Sequence, residues 1–132
     1  MATIKQFEDL ECWKLARQLS DLIFTLTEKG AFVKDFGFKN QIKDASGSVM
    51  DNIAEGFGRG GNREFVIFLG YAIGSANEVQ SQLYRALDWK YISQVEFKEN
   101  YELAETIIAK SGSLINYLNN SQHKGEKFKR EK

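Results

Sequence analysis

Apolar residues recur along this chain at alternating spacings of four and three, and that rhythm leaves room for little besides long amphipathic helices packed side by side. It is plainest from Phe97 to Leu118, where Phe97, Tyr101, Ala104, Ile108, Ser111, Ile115 and Leu118 share one face. The start of that helix is marked too. Ser93-Gln94-Val95-Glu96 is a capping box, and Ile92 and Phe97 fall at the two positions of a hydrophobic staple. The pattern predicts a helix over residues 93–119.

Three more segments keep the same period. Phe65, Leu69, Ala72, Ala76, Val79, Leu83 and Ala86 predict a helix from the N-cap Asn62 to Trp89. Phe38, Ile42, Ala45, Val49 and Asn52 predict one over 35–57. The first, over 8–29, has two apolar rows, Leu15-Leu19-Leu22-Leu26 and Trp13-Ala16-Ile23. A face that wide can meet two neighbours, or a neighbour and another subunit. The links are short, at Gly30–Lys34, Gly58–Gly61 and Lys90–Ile92, and short links favour antiparallel neighbours. The expected fold is all-α, an antiparallel up-down-up-down four-helix bundle over residues 1–119. A basic, disordered tail is expected over 120–132.

At 132 residues the chain is one domain's worth. It has no proline, which long helices tolerate because proline serves mainly at their ends. A lone Cys12 can form no internal disulfide and suits a reducing compartment. Met1–Leu10 contains no apolar run of a signal peptide, and no stretch approaches the ~20 apolar residues of a membrane span. A cytoplasmic protein with no membrane partner is expected. The formal net charge is zero but unevenly placed. Residues 1–119 carry 13 basic and 16 acidic side chains, and the tail carries Lys124, Lys127, Lys129, Arg130 and Lys132 against Glu126 and Glu131. A dedicated duplex-DNA binder has a basic body, and this chain does not.

Asn52-Ile53-Ala54-Glu55-Gly56-Phe57-Gly58-Arg59 sets two polar residues into an apolar pattern as a helix runs into a glycine-rich turn. Buried polar groups need hydrogen-bond partners. Asn52 and Glu55 are therefore expected as a buried anchor fixing helix register, with Ser75, Asn77 or a turn N–H donating to Glu55. A ligand site is the other reading. The run Gly56 to Gly61 lacks the Lys-Ser/Thr ending of a phosphate loop and follows a helix rather than a strand, so it reads as a helix stop. Arg59 and Arg63, near the start of the third helix, are placed to meet an anion.

With the helices placed, the chain resembles the bacterial four-helix-bundle family of 23S rRNA intervening-sequence proteins. The matching residues are Phe7-Glu8-Asp9-Leu10, Trp13, Gln41, Ala45, Asn52-Ile53-Ala54-Glu55-Gly56, Arg59, Glu64-Phe65, Ala72-Ile73-Gly74-Ser75 and Glu78. Asn52, Glu55, Gly56, Gly74, Ser75 and Glu78 form its structural signature here. The resemblance implies a homo-oligomer, a pentameric barrel of bundles. It also implies kinship with a branch that accompanies the reverse transcriptase of diversity-generating retroelements and binds nucleic acid. The chain departs from the pattern twice: Gly30-Ala31-Phe32-Val33-Lys34 lacks a proline, and Gln41-Ile42-Lys43-Asp44 replaces a basic pair with an acid–base neighbour.

The remaining features have plain readings. Gly70 and Gly74 let helices approach closely, within or between subunits. Glu96, Glu99, Glu102 and Glu105 make a solvated acidic face or a docking surface for a basic partner. Glu55 and Glu78 facing each other would be a poor metal site without histidine, and the only histidine is His123. No catalytic residue, metal, cofactor or small-molecule substrate is expected. The expected function is a non-enzymatic homo-oligomeric scaffold that binds RNA, DNA or a nucleoprotein partner through Lys39, Lys43, Arg59, Arg63 and the tail cations, by phosphate neutralisation. The alternative is a protein–protein adaptor with no nucleic-acid role.

Overall fold

In the computed structural model, which describes residues 4–123, a 3-10 turn at Phe7–Asp9 precedes four helices. These are α1 (Glu11–Thr27), α2 (Phe36–Gly58), α3 (Asn62–Asp88) and α4 (Gln94–His123). The partners line up in opposite senses along each shared interface. Glu28 meets Lys39, and Phe24 meets Lys43, between α1 and α2. Gln41 meets Arg85, and Ser48 meets Ser75, between α2 and α3. Gln80 meets Glu105, and Tyr84 meets Phe97, between α3 and α4. Lys29 on the α1–α2 link pairs with Glu96 of α4 and closes the ring.

Caps explain where the helices begin. Ser93 and Glu96 exchange backbone N–H bonds at 2.9 and 3.1 Å, the expected capping box. Asp35 Oδ1 accepts from the Phe38 N–H at 3.2 Å. At α3 the structure differs from expectation. Gly61 is the N-cap, and Asn62 is already helical and buried. At the N-terminus, Asp9 accepts from the N–H groups of Lys5 and Gln6, so the chain makes a tight turn and α1 starts at Glu11 rather than near residue 8. At the other end α4 continues to His123, and Ser121 is buried, so the first four residues of the expected tail are helix. Residues 124–132 lie outside the described residues. The α3–α4 link closes with Lys90 at φ 63 while the Tyr91 N–H reaches back to the Ala86 carbonyl, a Schellman ending.

The core is one stripe from each helix. All seven expected α3 positions, Phe65 to Ala86, are fully buried. In α1 the buried row is Cys12, Ala16, Leu19, Ile23 and Leu26, which takes members from both predicted rows. In α4 the face is turned slightly from the predicted seam. Asn100, Ala104, Ile107, Ser111 and Leu118 are buried, while Phe97, Tyr101, Ile108 and Ile115 are half-buried. Each fully buried large side chain contributes roughly 1.5–3 kcal/mol.

Gly56 lies inside α2 and is buried, so it is not the helix stop; α2 runs on to Gly58, and Gly60, at φ +92, makes the turn. A Cβ at position 56 would fall 2.6 Å from Phe68 Cβ and 3.1 Å from Phe65 Cδ1. Nothing lies within 4 Å of the equivalent point at Gly58. Alanine inside a helix ordinarily gains about 1 kcal/mol over glycine. Gly56→Ala is expected instead to destabilise by about 1–3 kcal/mol through overpacking, whereas Gly58→Ala stabilises or is neutral. Urea unfolding of both variants checks this, and equal effects would contradict it.

Candidate functional site

The signature residues separate into a half-buried link and a surface ion cluster. The α2 core stripe advances through Val49, Ile53 and Gly56. Asn52 therefore sits at its margin, half-buried. Its Nδ2 donates to the Ser48 carbonyl at 2.8 Å and to Ser48 Oγ at 2.9 Å. Ser75 Oγ of α3 donates to the same Ser48 Oγ at 3.1 Å. The Ser75–Ser48 bond thus joins α3 to α2, and Asn52 holds Ser48 from within α2. Ser48 was not singled out in the sequence. Its position one turn before Asn52, on the same face, is the signal that could have found it.

Glu55 does not belong to this link. It points outward with its side chain 53% exposed, and Ser75 donates to Ser48 instead. The expectation of a buried Glu55 anchor is therefore corrected. Its partner is Arg59, one turn on, at 2.7 Å, and Arg59 also reaches Glu64 at 3.8 Å. The guanidinium lies 4.9 Å from the centre of the Phe68 ring. The hydrogen bond to Glu55 raises the Arg59 pKa above its ordinary value. Glu78 is exposed and accepts from Gln82 Nε2 at 3.4 Å. Among the described residues no three His, Cys, Asp or Glu side chains gather as a metal site.

Gly74 is exposed, as is Gly70, and a Cβ at either would meet nothing within 4 Å. A close contact within the bundle is therefore excluded for both. They lie with Ile67 and Tyr71 on one outward stripe of α3, where Ile67 and Tyr71 are 47% and 56% exposed.

The basic candidates do not form one patch. Lys39 is held by Glu28 at 3.2 Å and lies over Phe36, and Lys43 lies over Phe24. Arg59 is engaged as described, and Arg63 is exposed on the first turn of α3. Twenty residues of helix, about 30 Å, separate Lys39 from the Arg59 end. Lys124, Lys127, Lys129, Arg130 and Lys132 lie outside the described residues. The acidic face of α4 is partly committed to structure, since Glu96 pairs with Lys29 and caps the helix while Glu105 accepts from Gln80 at 2.8 Å. Bonds from Lys29 and the Ser93 N–H hold the Glu96 carboxyl below its usual range.

An aromatic plug at the Lys39 end went unread in the sequence. Phe32, Phe38, Trp89 and Tyr91 pack ring to ring with centroids 5.0–6.2 Å apart. The Arg85 guanidinium sits 4.3 Å from the Phe38 ring centre and 5.2 Å from that of Trp89. The Tyr91 hydroxyl donates to Asp35 at 2.8 Å, which raises the phenol's pKa. At the opposite end, burial pushes the Cys12 thiol up to about 11.

The two halves of the signature should respond differently to truncation. Asn52→Ala takes from Ser48 the donor that Asn52 supplies at a half-buried site, leaving the Ser75 bond in place, and is expected to cost about 1 kcal/mol. Glu55→Ala removes an exposed ion pair and is expected to change stability by less than about 0.5 kcal/mol at physiological salt. Thermal or urea unfolding ranks the two, and the reverse order would contradict the placement of Glu55.

The family model for the 23S rRNA-intervening sequence protein matches residues 8–113. No curated protein matches the chain. Among solved structures, a protein of unknown function from the S23 ribosomal protein family of Bacteroides thetaiotaomicron superposes with a TM-score of 0.72. It is 20% identical, and the match covers 79% of this chain and 97% of that one, which establishes a shared fold. With the family model spanning all but the end of the bundle, the chain belongs to the 23S rRNA-intervening sequence protein family.

Proposed function

We propose that this protein is a non-enzymatic helical scaffold that works as a closed homo-oligomer, a pentamer, in a reducing cytoplasm, and meets its partner through protein surface. The outward stripe of α3 carries this reading. Gly70 and Gly74, at exposed positions of α3, each cost about 1 kcal/mol against alanine, and among the described residues nothing uses the space they leave. A second copy packed on Ile67 and Tyr71 would use it. The absence of an enzymatic role is supported by the placement of the reactive groups. His123 is the chain's only histidine, at the end of α4, and Cys12 is buried with a raised pKa.

The adaptor form of the scaffold is favoured over a nucleic-acid binder. Lys39, Lys43 and Arg59 are occupied by Glu28, Phe24 and the Glu55–Glu64 pair. Of the cations expected to meet phosphate, Arg63 is left exposed on the bundle, and the others lie after His123.

Light scattering coupled to size-exclusion chromatography is expected to give a pentamer mass for the wild-type chain at micromolar concentration. Tyr71→Asp is expected to lower that mass while leaving the helical circular dichroism intact. A wild-type monomer would refute the assembly. Gel shifts with single- and double-stranded RNA and DNA at two salt concentrations test the other half. Weak binding with little salt dependence is expected. Tight binding that falls steeply with salt and is lost on deleting residues 124–132 would identify nucleic acid as the partner instead.

A further inference from the structure

Several aromatic rings of this bundle are covered by an arginine of the same chain. Arg17 lies 5.8 Å from the Trp13 ring centre and Arg59 lies 4.9 Å from that of Phe68. Arg85 lies 4.3 Å from the Phe38 ring centre and 5.2 Å from that of Trp89. One surface cluster lacks such a cation. Tyr84 of α3 packs on Phe97 and Tyr101 of α4 with ring centroids 4.8 and 5.7 Å apart, and Phe97 and Tyr101 stand 5.3 Å from each other. Tyr84 is 51% exposed, and the other two are half-buried. Among the described residues no arginine or lysine lies over any of these three rings.

The charge beside the cluster is negative. Asp88 is one turn beyond Tyr84, and Glu105 is one turn beyond Tyr101, so each neighbours its ring along the helix surface. Glu102 follows Tyr101 directly. All three carboxylates are exposed, and among the described residues none is in an ion pair. Glu105 is positioned by Gln80, whose Nε2 donates to it at 2.8 Å. Lys98, three residues before Tyr101, is exposed and covers none of the rings.

We propose that this cluster is the docking point for an arginine on a basic segment of a partner protein. The guanidinium stacks on the exposed Tyr84 ring. Asp88 and Glu105, one turn away on either side, receive its N–H groups and attract a neighbouring basic residue of the same segment. Arginine fits better than lysine because its guanidinium is planar, weakly hydrated and stacks on ring faces. Arg85 shows the arrangement within the chain, lying over two rings while it donates to Gln41 at 3.4 Å. A nucleic-acid strand fits worse, since its phosphates would meet three unpaired carboxylates. The proposal rests on the adaptor reading and gives that adaptor's partner its chemistry.

NMR of the full-length protein with labelled tyrosine rings tests this. The probe is an unstructured peptide of arginines separated by Gly-Ser spacers, titrated at low salt. Saturable shifts are expected at Tyr84 and Tyr101 and none at Tyr71, which is equally exposed on the outward stripe of α3. The lysine version of the peptide is expected to bind about two- to fivefold more weakly. Tyr84→Leu and Glu105→Gln are each expected to weaken the arginine peptide by about two- to fivefold. Asp51→Asn, at an exposed carboxylate of α2, is expected to leave binding unchanged. Absence of a saturable shift overturns the proposal. So does equal binding of the two peptides, or equal weakening by Asp51→Asn, either of which would mean diffuse attraction. Shifts of the same rings by a single-stranded oligonucleotide but not by the peptide would put bases on them, and shifts on dilution alone would put a second copy there. Both results overturn it too. The assembly mass, read on the same sample, separates this proposal from the scaffold reading. A monomer that binds the peptide refutes the assembly alone, and a pentamer that does not bind it refutes the arginine site alone.

Discussion

The approach of α2 to α3 at Gly56 sets the geometry of the rest of the bundle. With Phe68 Cβ 2.6 Å from where a side chain would start, the two backbones are as close as glycine alone permits. The link from Arg59 to Gly61 is only three residues long, so it cannot absorb a displacement at that end. From there the contact runs through Ser48 and Ser75 to Gln41 and Arg85 near the far end. Arg85 is also the cation over Phe38 and Trp89, so the register set at Gly56 is the register in which the aromatic plug closes. A packed interior transmits such a constraint because it has few voids in which to relax.

The same geometry decides what the charged residues can do. An exposed ion pair contributes about 0–1 kcal/mol, so Glu55–Arg59 adds little to stability, while Lys39–Glu28 is more sheltered, its lysine side chain 14% exposed. They do change availability. Each occupies a cation that the sequence offers to phosphate, and the two ends of α2 keep Lys39 and Arg59 well apart. Lys29 with Glu96 is a further case, where one carboxylate serves both an ion pair and a helix cap. Because its folded-state pKa is lowered, its contribution is present above the ordinary carboxylate range and is lost as pH falls through the lowered value.

Helical periodicity made the four elements and the α3 core legible because each buried residue there is apolar and one turn from the next. It failed where a polar residue takes a core position. Asn100 is buried through a bond from its Nδ2 to the Glu96 carbonyl, and a reading based on apolar spacing passes over it to Phe97 and Tyr101. Glu55 failed for a related reason. A polar residue in an apolar stretch looks buried until the stripe is followed residue by residue through Ile53 and Gly56. The Asn52 link was half visible, since Ser75 was in view but the shared acceptor Ser48 was not. The plug was missed because its rings come from three separate segments around residues 32, 38 and 89–91, and only the fold brings them together.

Unequal helix length leaves a cleft at one end of the described bundle. Helix α1 has 17 residues, whereas α3 has 27 and α4 has 30. The N-terminal 3-10 turn extends the short α1 layer, and where Ile4, Leu10 and Cys12 stop short of α4 an apolar cleft remains. The outward stripe of α3 has a different origin. It faces away from both neighbouring helices, and no length of α1 would cover it. The two surfaces therefore call for different partners. The cleft is lined by apolar residues of the N-terminal turn and of α4, with Asp9, Glu11 and Lys110 among them. The α3 stripe is long, glycine-lined and flanked by Ile67 and Tyr71, so another helix matches it. A second copy on that stripe would cover Ile67 and Tyr71 and leave the exposed carboxylates Glu99 and Glu102 of α4 available to a further partner.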